Sequence, residues 1–225
     1  MSVTEVHYTS DPHFEHELVA AKRGFTSAAE HDAVIADRWN ETVKPRDVVI
    51  VLGDIAAGAP AGALSILRKL PGRKHLITGN HDRVHPMHRR TFASSLPAFL
   101  DVFASVSPFG RRRLEGTEVL LSHFPYAAWG DGPARGGAAA SRHNQFRLPD
   151  FGVPLLHGHT HGTEQGHGHE LHVGVDAWGF RPVPQEQVIV WLRELREHRE
   201  AVGAVEPFTW SADMDAVHAR ALKRR

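Results

Sequence analysis

Hydrophobic residues in the first eighty positions switch repeatedly between a two-residue and a three-to-four-residue period. Val3 to Thr9 alternates and is rich in β-branched side chains, which predicts a short strand stopping at Ser10-Asp11-Pro12. Ala29, Ala33, Val34, Ala36 and Trp39 recur among charged residues with a helical period, predicting a helix over Ala28 to Val43. Val48 to Leu52 is a continuous apolar run halted by Gly53-Asp54, the pattern of a strand buried on both faces. Ala61 to Leu70 reads as a helix closed by Pro71-Gly72, and His75 to Thr78 as a strand stopped by Gly79-Asn80. Strands alternating with helices in this way build βαβ units around a largely parallel sheet.

Beyond residue 80 the pattern changes. Leu100 to Ser107, Glu118 to Ser122, Leu155 to His157 and Glu170 to Val175 read as short strands with fewer helices between them. They suggest a second sheet packed beside the first. Val183 to His198 reads as a strand (Val188 to Leu192) running into a polar helix, and Thr209 to Arg225 as a terminal helix with a basic end. Arg111-Arg112-Arg113 fits a solvated hairpin or strand edge. Residues 129–144 carry Gly-Asp-Gly-Pro and Arg-Gly-Gly, so a flexible insert is expected there, with Arg135, Arg142 and His143 available to close over an anion. No composition shift marks a boundary, and the expectation is one domain over 1–225 with that insert and a basic C-terminal segment at 206–225.

Composition narrows the chemistry. Hydrophobic residues make up 41% of the 225, enough for a sizeable core. Acidic and basic residues balance at 26 each, which argues against a nucleic-acid coat or an acidic-lipid surface. Cysteine is absent, so zinc-thiolate and iron–sulfur sites are excluded and any metal must sit on oxygen and imidazole. The start lacks the pattern of a signal peptide, and no run reaches the ~18 apolar residues of a membrane span. A cytoplasmic protein with no membrane partner is the expectation.

Histidine is the outlier: 18 residues, clustered where apolar runs end. Asp11-Pro12-His13 can aim a carboxylate and an imidazole at one ion. Asp54, after Gly53, offers two oxygens that match the spacing of about 3.5–4 Å in dinuclear sites. In Gly79-Asn80-His81-Asp82, Asn80 supplies a neutral amide oxygen, His81 can face substrate, and Asp82 can orient that imidazole. His123 ends the run Leu120-Leu121-Ser122. His157-Gly158-His159-Thr160-His161 places three imidazoles within five residues, costly to bury without partners. Each block taken singly has a plain structural reading as a turn or a surface histidine.

The set, in this order, resembles the calcineurin-like metallophosphoesterase superfamily: Asp-x-His, Gly-Asp, Gly-Asn-His-Asp, a lone His, and Gly-His-x-His, spanning Asp11 to His161. The resemblance implies an α/β fold, a four-layer α/β/β/α sandwich with metals at one sheet edge. It implies a first ion on Asp11, His13 and His161, and a second on Asn80, His123 and His159, with Asp54 bridging. Manganese is the first expectation for both ions, with iron, zinc, cobalt or nickel as alternatives. The expected chemistry is hydrolysis of a small phosphate ester by hydroxide generated between the cations, with His81 and Asp82 serving the leaving group. A phosphodiester of a nucleotide or a nucleic-acid end is the preferred substrate, and a phosphomonoester the alternative.

His16 and His157 are candidates for contact with the ligands or with substrate. His167, His169 and His172 read as structural, on a turn and strand. A non-catalytic scaffold of the same fold would be expected to lack a ligand or His81, and none is missing. A histidine-rich storage protein would have no use for a neutral amide between two sites. The His-x-His-x-Asp-His string of the β-lactamase-like hydrolases is absent.

Overall fold

A computed structural model describes residues 4–127, 143–202 and 208–223. The expected insert at 129–144 therefore lies almost wholly outside the described residues, with only His143 and Asn144 inside.

Five strands form the first sheet, in the order β10-β1-β2-β3-β4. They are β1 (Val6–Thr9), β2 (Val48–Val51), β3 (Arg73–Ile77), β4 (Ser105–Ser107) and β10 (Val183–Pro184). The first four are mutually parallel, and β10 adds to β1 antiparallel. The apolar run of β2 faces two ways, as its composition demands. Val49 and Val51 enter one core with Ile35 and Trp39 of α2 (Ala28–Thr42) and Leu64 and Leu67 of α3 (Ala61–Lys69). Ile50 and the following Leu52 enter the other core, against the second sheet. Ser27 caps α2 by accepting from the Glu30 N–H at 3.1 Å.

The second sheet has the order β11-β8-β9-β7-β6-β5. Its strands are β5 (Phe109–Leu114), β6 (Thr117–Ser122), β7 (Leu155–His157), β8 (Gly166–His167), β9 (Glu170–His172) and β11 (Thr209–Trp210). Leu121, Leu156 and Leu171 meet Tyr8, Ile50 and Ile77 between the sheets, and α5 (Gln185–Val202) and α6 (Met214–Lys223) close this core with Trp191 and Val217. The architecture is the four-layer α/β/β/α sandwich. Arg111 to Arg113 lie on β5, an edge strand. His167 and His172 end β8 and β9, with His169 in the turn between them.

Several elements differ from the periodicity. Val188 to Leu192 is not a strand but the first half of α5. Val188, Trp191, Leu192 and Leu195 are buried at helical spacing, which a short window of consecutive apolar residues conceals. Leu100 ends a helix, α4 (Phe92–Leu100), and only Ser105–Ser107 of the expected strand is extended. Pro97 inside α4 removes one backbone donor and masks the helix in the sequence. Thr209 and Trp210 pair with β8 as strand, and α6 starts only after Asp213 caps it, accepting from the Asp215 and Ala216 N–H groups. The six-residue α1 (Glu17–Lys22), capped by His16, is too short to leave a period. Among the described residues no helix is long and apolar enough to cross a membrane.

Candidate metal centre

The loops that leave β1, β2, β3, β6 and β7 meet at one end of the two sheets. The Asp11, His13 and Phe14 N–H groups donate to Gly53 O, Asp54 O and Ile55 O at 2.9–3.1 Å, so the first two loops run side by side. Gly53 has φ +91°, and a Cβ there would lie 2.4 Å from Gly79 N. Only glycine lets the second and third loops touch in this way. A Cβ on Gly158 would lie 1.9 Å from Ser10 Oγ and 2.3 Å from Asp11 Oδ2, so the fifth block is pressed against the first equally tightly.

Asp11, His13, Asp54, His159 and His161 all adopt left-handed backbone, with φ of 57, 45, 54, 73 and 52°. Such residues hold their conformation only when their surroundings impose it, at about 1–3 kcal/mol each. Here the conformation turns five side chains inward. Asp11, His13 and His161 bring their donor atoms together, as do Asp11, Asp54 and His123. The His13 and His161 Nε2 atoms are 3.0 Å apart, and Asp11 Oδ1 lies 3.9 and 3.6 Å from them. Asp54 Oδ2 stands 3.7 Å from His13 Nε2 and 3.4 Å from His123 Nε2. The His123 Nδ1–H donates to Leu52 O at 2.7 Å, so the lone pair of Nε2 faces Asn80 Oδ1 at 3.0 Å and the Asp54 carboxylate.

Acceptors facing acceptors in a buried place require a cation or a proton between them. Asp11 Oδ1 is buried without a hydrogen-bond partner, and its other oxygen accepts from the His159 N–H at 2.9 Å. The residues present therefore fit divalent ions. Titration in the absence of metal tells the same story. Burial would raise Asp11, but the imidazoles of His123 and His161 outweigh it and hold it at about 2. Burial also opposes the ionised form of Asp54, and His123 keeps it well below the usual carboxylate range. Burial would lower His123, yet Asp54 and Asp11 push it up to about 9. His13, dominated by burial, falls to about 3 and stays neutral.

His81 stands at the open side. Its side chain is 48% exposed, its Nε2 lies 3.9 Å from Asp54 Oδ2, and its N–H donates to Asp54 Oδ1 at 2.8 Å. The expected pairing of Asp82 with the His81 ring does not occur. Asp82 accepts instead from the N–H groups of Asp54 (3.0 Å), Ile55 (3.1 Å) and Gly79 (2.7 Å), which leaves it a buckle between two loops. Burial and the neighbouring Asp54 push its pKa up to about 7. The His159 ring lies 5.1 Å from that of His123, and Phe124 meets both edge-on while it stacks on His143 at 5.0 Å.

A cavity of about 380 Å³ opens above these groups, lined by Asp54, Asn80, His81, His159 and His161 together with Val19, Lys22, Arg23, Thr160 and Asp176. Nothing in the sequence singles out Arg23 or Asp176. They lie 153 positions apart, and neither sits in a recognisable block. His16 caps α1 with its ring 5.9 Å from that of His13, and His157 and His172 stack 5.3 Å apart behind Asp11.

The calcineurin-like phosphoesterase family model matches residues 5–163. The chain belongs to the calcineurin-like phosphoesterase family. It is a metal-dependent phosphoesterase, and the matched span contains all five blocks. Two phage proteins resemble this phosphoesterase over most of their length. The gene 66 protein of Mycobacterium phage D29 is 41% identical over 207 residues, covering 87% of this chain and 99% of its own. That of Mycobacterium phage L5 is 38% identical over 205 residues, covering 84% and 95%. A protein of unknown function from Aquifex aeolicus, AQ665, shares the fold at a TM-score of 0.62 and 22% identity, with 84% of this phosphoesterase and all of that chain covered.

Proposed function

We propose that this phosphoesterase hydrolyses phosphodiesters, with a nucleotide or a nucleic-acid end as substrate. The observation carrying the reading is the cavity itself. Asp54, Asn80, His159 and His161 line it, the buried Asp11 Oδ1 and His13 lie behind Asp54 and His161, and its wall carries the exposed His81. About 380 Å³ leaves room for substituents on both sides of a phosphorus atom. Asp11, His13 and His161 would hold one ion and Asn80, His123 and His159 the other, with Asp54 between them. Manganese suits this oxygen and imidazole set. Divalent ions there supply Lewis acidity towards the phosphoryl oxygens and the attacking water.

The chain's own residues do the rest. His81, within reach of Asp54 yet open to the cavity, donates a proton to the departing alkoxide. Asp82 fixes the two loops on which Asp54 and His81 stand. Lys22, an exposed cation on the same wall, attracts the anionic ester. Lys22 also favours a second reading, phosphomonoester hydrolysis, because it offsets the extra charge of a monoester dianion.

The test is hydrolysis of bis-p-nitrophenyl phosphate and p-nitrophenyl phosphate by protein reconstituted with Mn, Mg, Zn, Ni or Co. A diester rate above the monoester rate supports the proposal; the reverse order moves the assignment to monoesters. Asp54→Ala should lose at least about 100-fold in kcat/KM, more than the loss of a group that only supports a ligand. His81→Ala should retain metal and lose about 10²–10⁴-fold with a poor leaving group. Full activity in Asp54→Ala would sink the assignment.

A further inference from the structure

Arg23, at the C-terminal end of α1, is the most fully engaged cation in the described structure, and no part of the proposed chemistry uses it. Its Nε–H and one Nη2–H donate to the two oxygens of Asp176, at 2.8 and 2.6 Å. The second Nη2–H donates to Asp11 O at 2.9 Å, and Nη1 reaches Pro12 O at 3.4 Å. Nη1 also donates to His31 Nε2 at 2.9 Å. All five donors of the guanidinium are thus spoken for, and its side chain is 5% exposed.

The partners of Arg23 fall on both sheets. Asp11 and Pro12 belong to the left-handed turn after β1. Asp176 belongs to a short 3-10 turn (Val175–Ala177) after β9, where Val175 N–H donates to Ser10 O and Gly174 bridges Ser10. Asp176 Oδ2 then lies 3.7 Å from His161 Nδ1, whose Nε2 faces Asp11 and His13. From the other side, His31 accepts from Arg23 and so carries its own proton on Nδ1, facing Asp32 Oδ1 at 2.8 Å. Asp32 Oδ2 in turn accepts from the Glu15 N–H, just past His13. A planar five-donor fork suits this arrangement and an ammonium does not.

We infer that Arg23 and Asp176 are positioning residues for one of the two metal positions, the one framed by Asp11, His13 and His161. This rests on the metal-centre reading given above. Arg23 fixes the backbone that aims Asp11 and His13, and Asp176 sets the ring of His161, as a carboxylate behind an imidazole ligand does. Among the described hydrogen bonds and ion pairs neither residue reaches Asn80, His123 or Asp54, so the other position feels their loss only through Asp11, which stands within reach of both groups.

The experiment is uptake of Mn²⁺ alone by metal-free full chain, read as bound ions per protein at a free Mn²⁺ concentration that just saturates wild type. Asp176→Asn keeps the shape and one of the two acceptors for Arg23 and removes the charge behind His161. Arg23→Lys keeps the charge and removes the fork. Both should hold one ion where wild type holds two, with 10–100-fold weaker affinity for the second and an unchanged circular dichroism spectrum. Two ions at wild-type affinity in Asp176→Asn would overturn the inference, as would equal weakening of both positions. If Arg23→Lys fails to fold, Asp176→Asn carries the test. Wild type that takes up fewer than two ions would overturn the metal-centre reading instead.

Discussion

His123 is the candidate ligand on which a metal ion and a proton would compete. Without metal its pKa rises from 6.5 to about 9, because Asp54 and Asp11 overcome its burial. The protonated ring then stabilises the metal-free fold fully below pH 6.5, and that contribution disappears as pH climbs through 9. A cation on Nε2 must displace the proton, so metal affinity runs the opposite way. It should increase with pH across the same window, by about tenfold per unit for one exchanged proton. His13, already neutral with a pKa of about 3, releases none. Calorimetric titration with Mn²⁺ at pH 7.5, in buffers of differing ionisation heat, should count at least one proton released per protein, and a further one for each water the ions ionise. A count of zero would show that His123 is not a ligand.

At the scale of elements, the site is a meeting of loop ends, and the closest meeting is at Gly53. Gly53→Ala forces a Cβ into Gly79 N and a left-handed φ on a residue that resists it. The fold should lose at least about 2 kcal/mol, measurable as a shifted urea midpoint, and metal affinity should fall with it. An unchanged midpoint would mean the loops can separate freely. The same elements explain what a reader of the sequence can and cannot see. β2 is legible because five apolar residues stop at Gly53-Asp54, and that stop also locates Asp54. His123, His159 and His161 are legible because imidazoles at strand ends have no place in a core. α5 is not, since Val188 to Leu192 reads identically in a strand and in the first turns of a helix. Arg23 is invisible because its meaning depends on Asp176, brought alongside only by the packing of one sheet on the other. Asp82 sits in the right block, but whether a carboxylate turns towards an imidazole or towards backbone is decided by three N–H groups that no pattern displays.

Across the whole molecule, the candidate ligands are divided between the sheets. Asp11, His13, Asp54 and Asn80 follow strands of the first, and His123, His159 and His161 follow strands of the second. Ions bound among them would fasten one sheet to the other. At 100 times its dissociation constant, each ion should add about 2.7 kcal/mol, or about 5–10 °C in Tm for a chain of this size. Thermal melts with and without chelator measure the difference, and coincident melts would contradict it. Because that fastening would sit at the loop ends of both sheets, bound metal should also lengthen the life of the folded chain. Metal-free protein should open first in the loops around Asp11 and His159, while the apolar core between the sheets holds, so a chelator should speed proteolysis there and lower the amount of polypeptide as well as its activity.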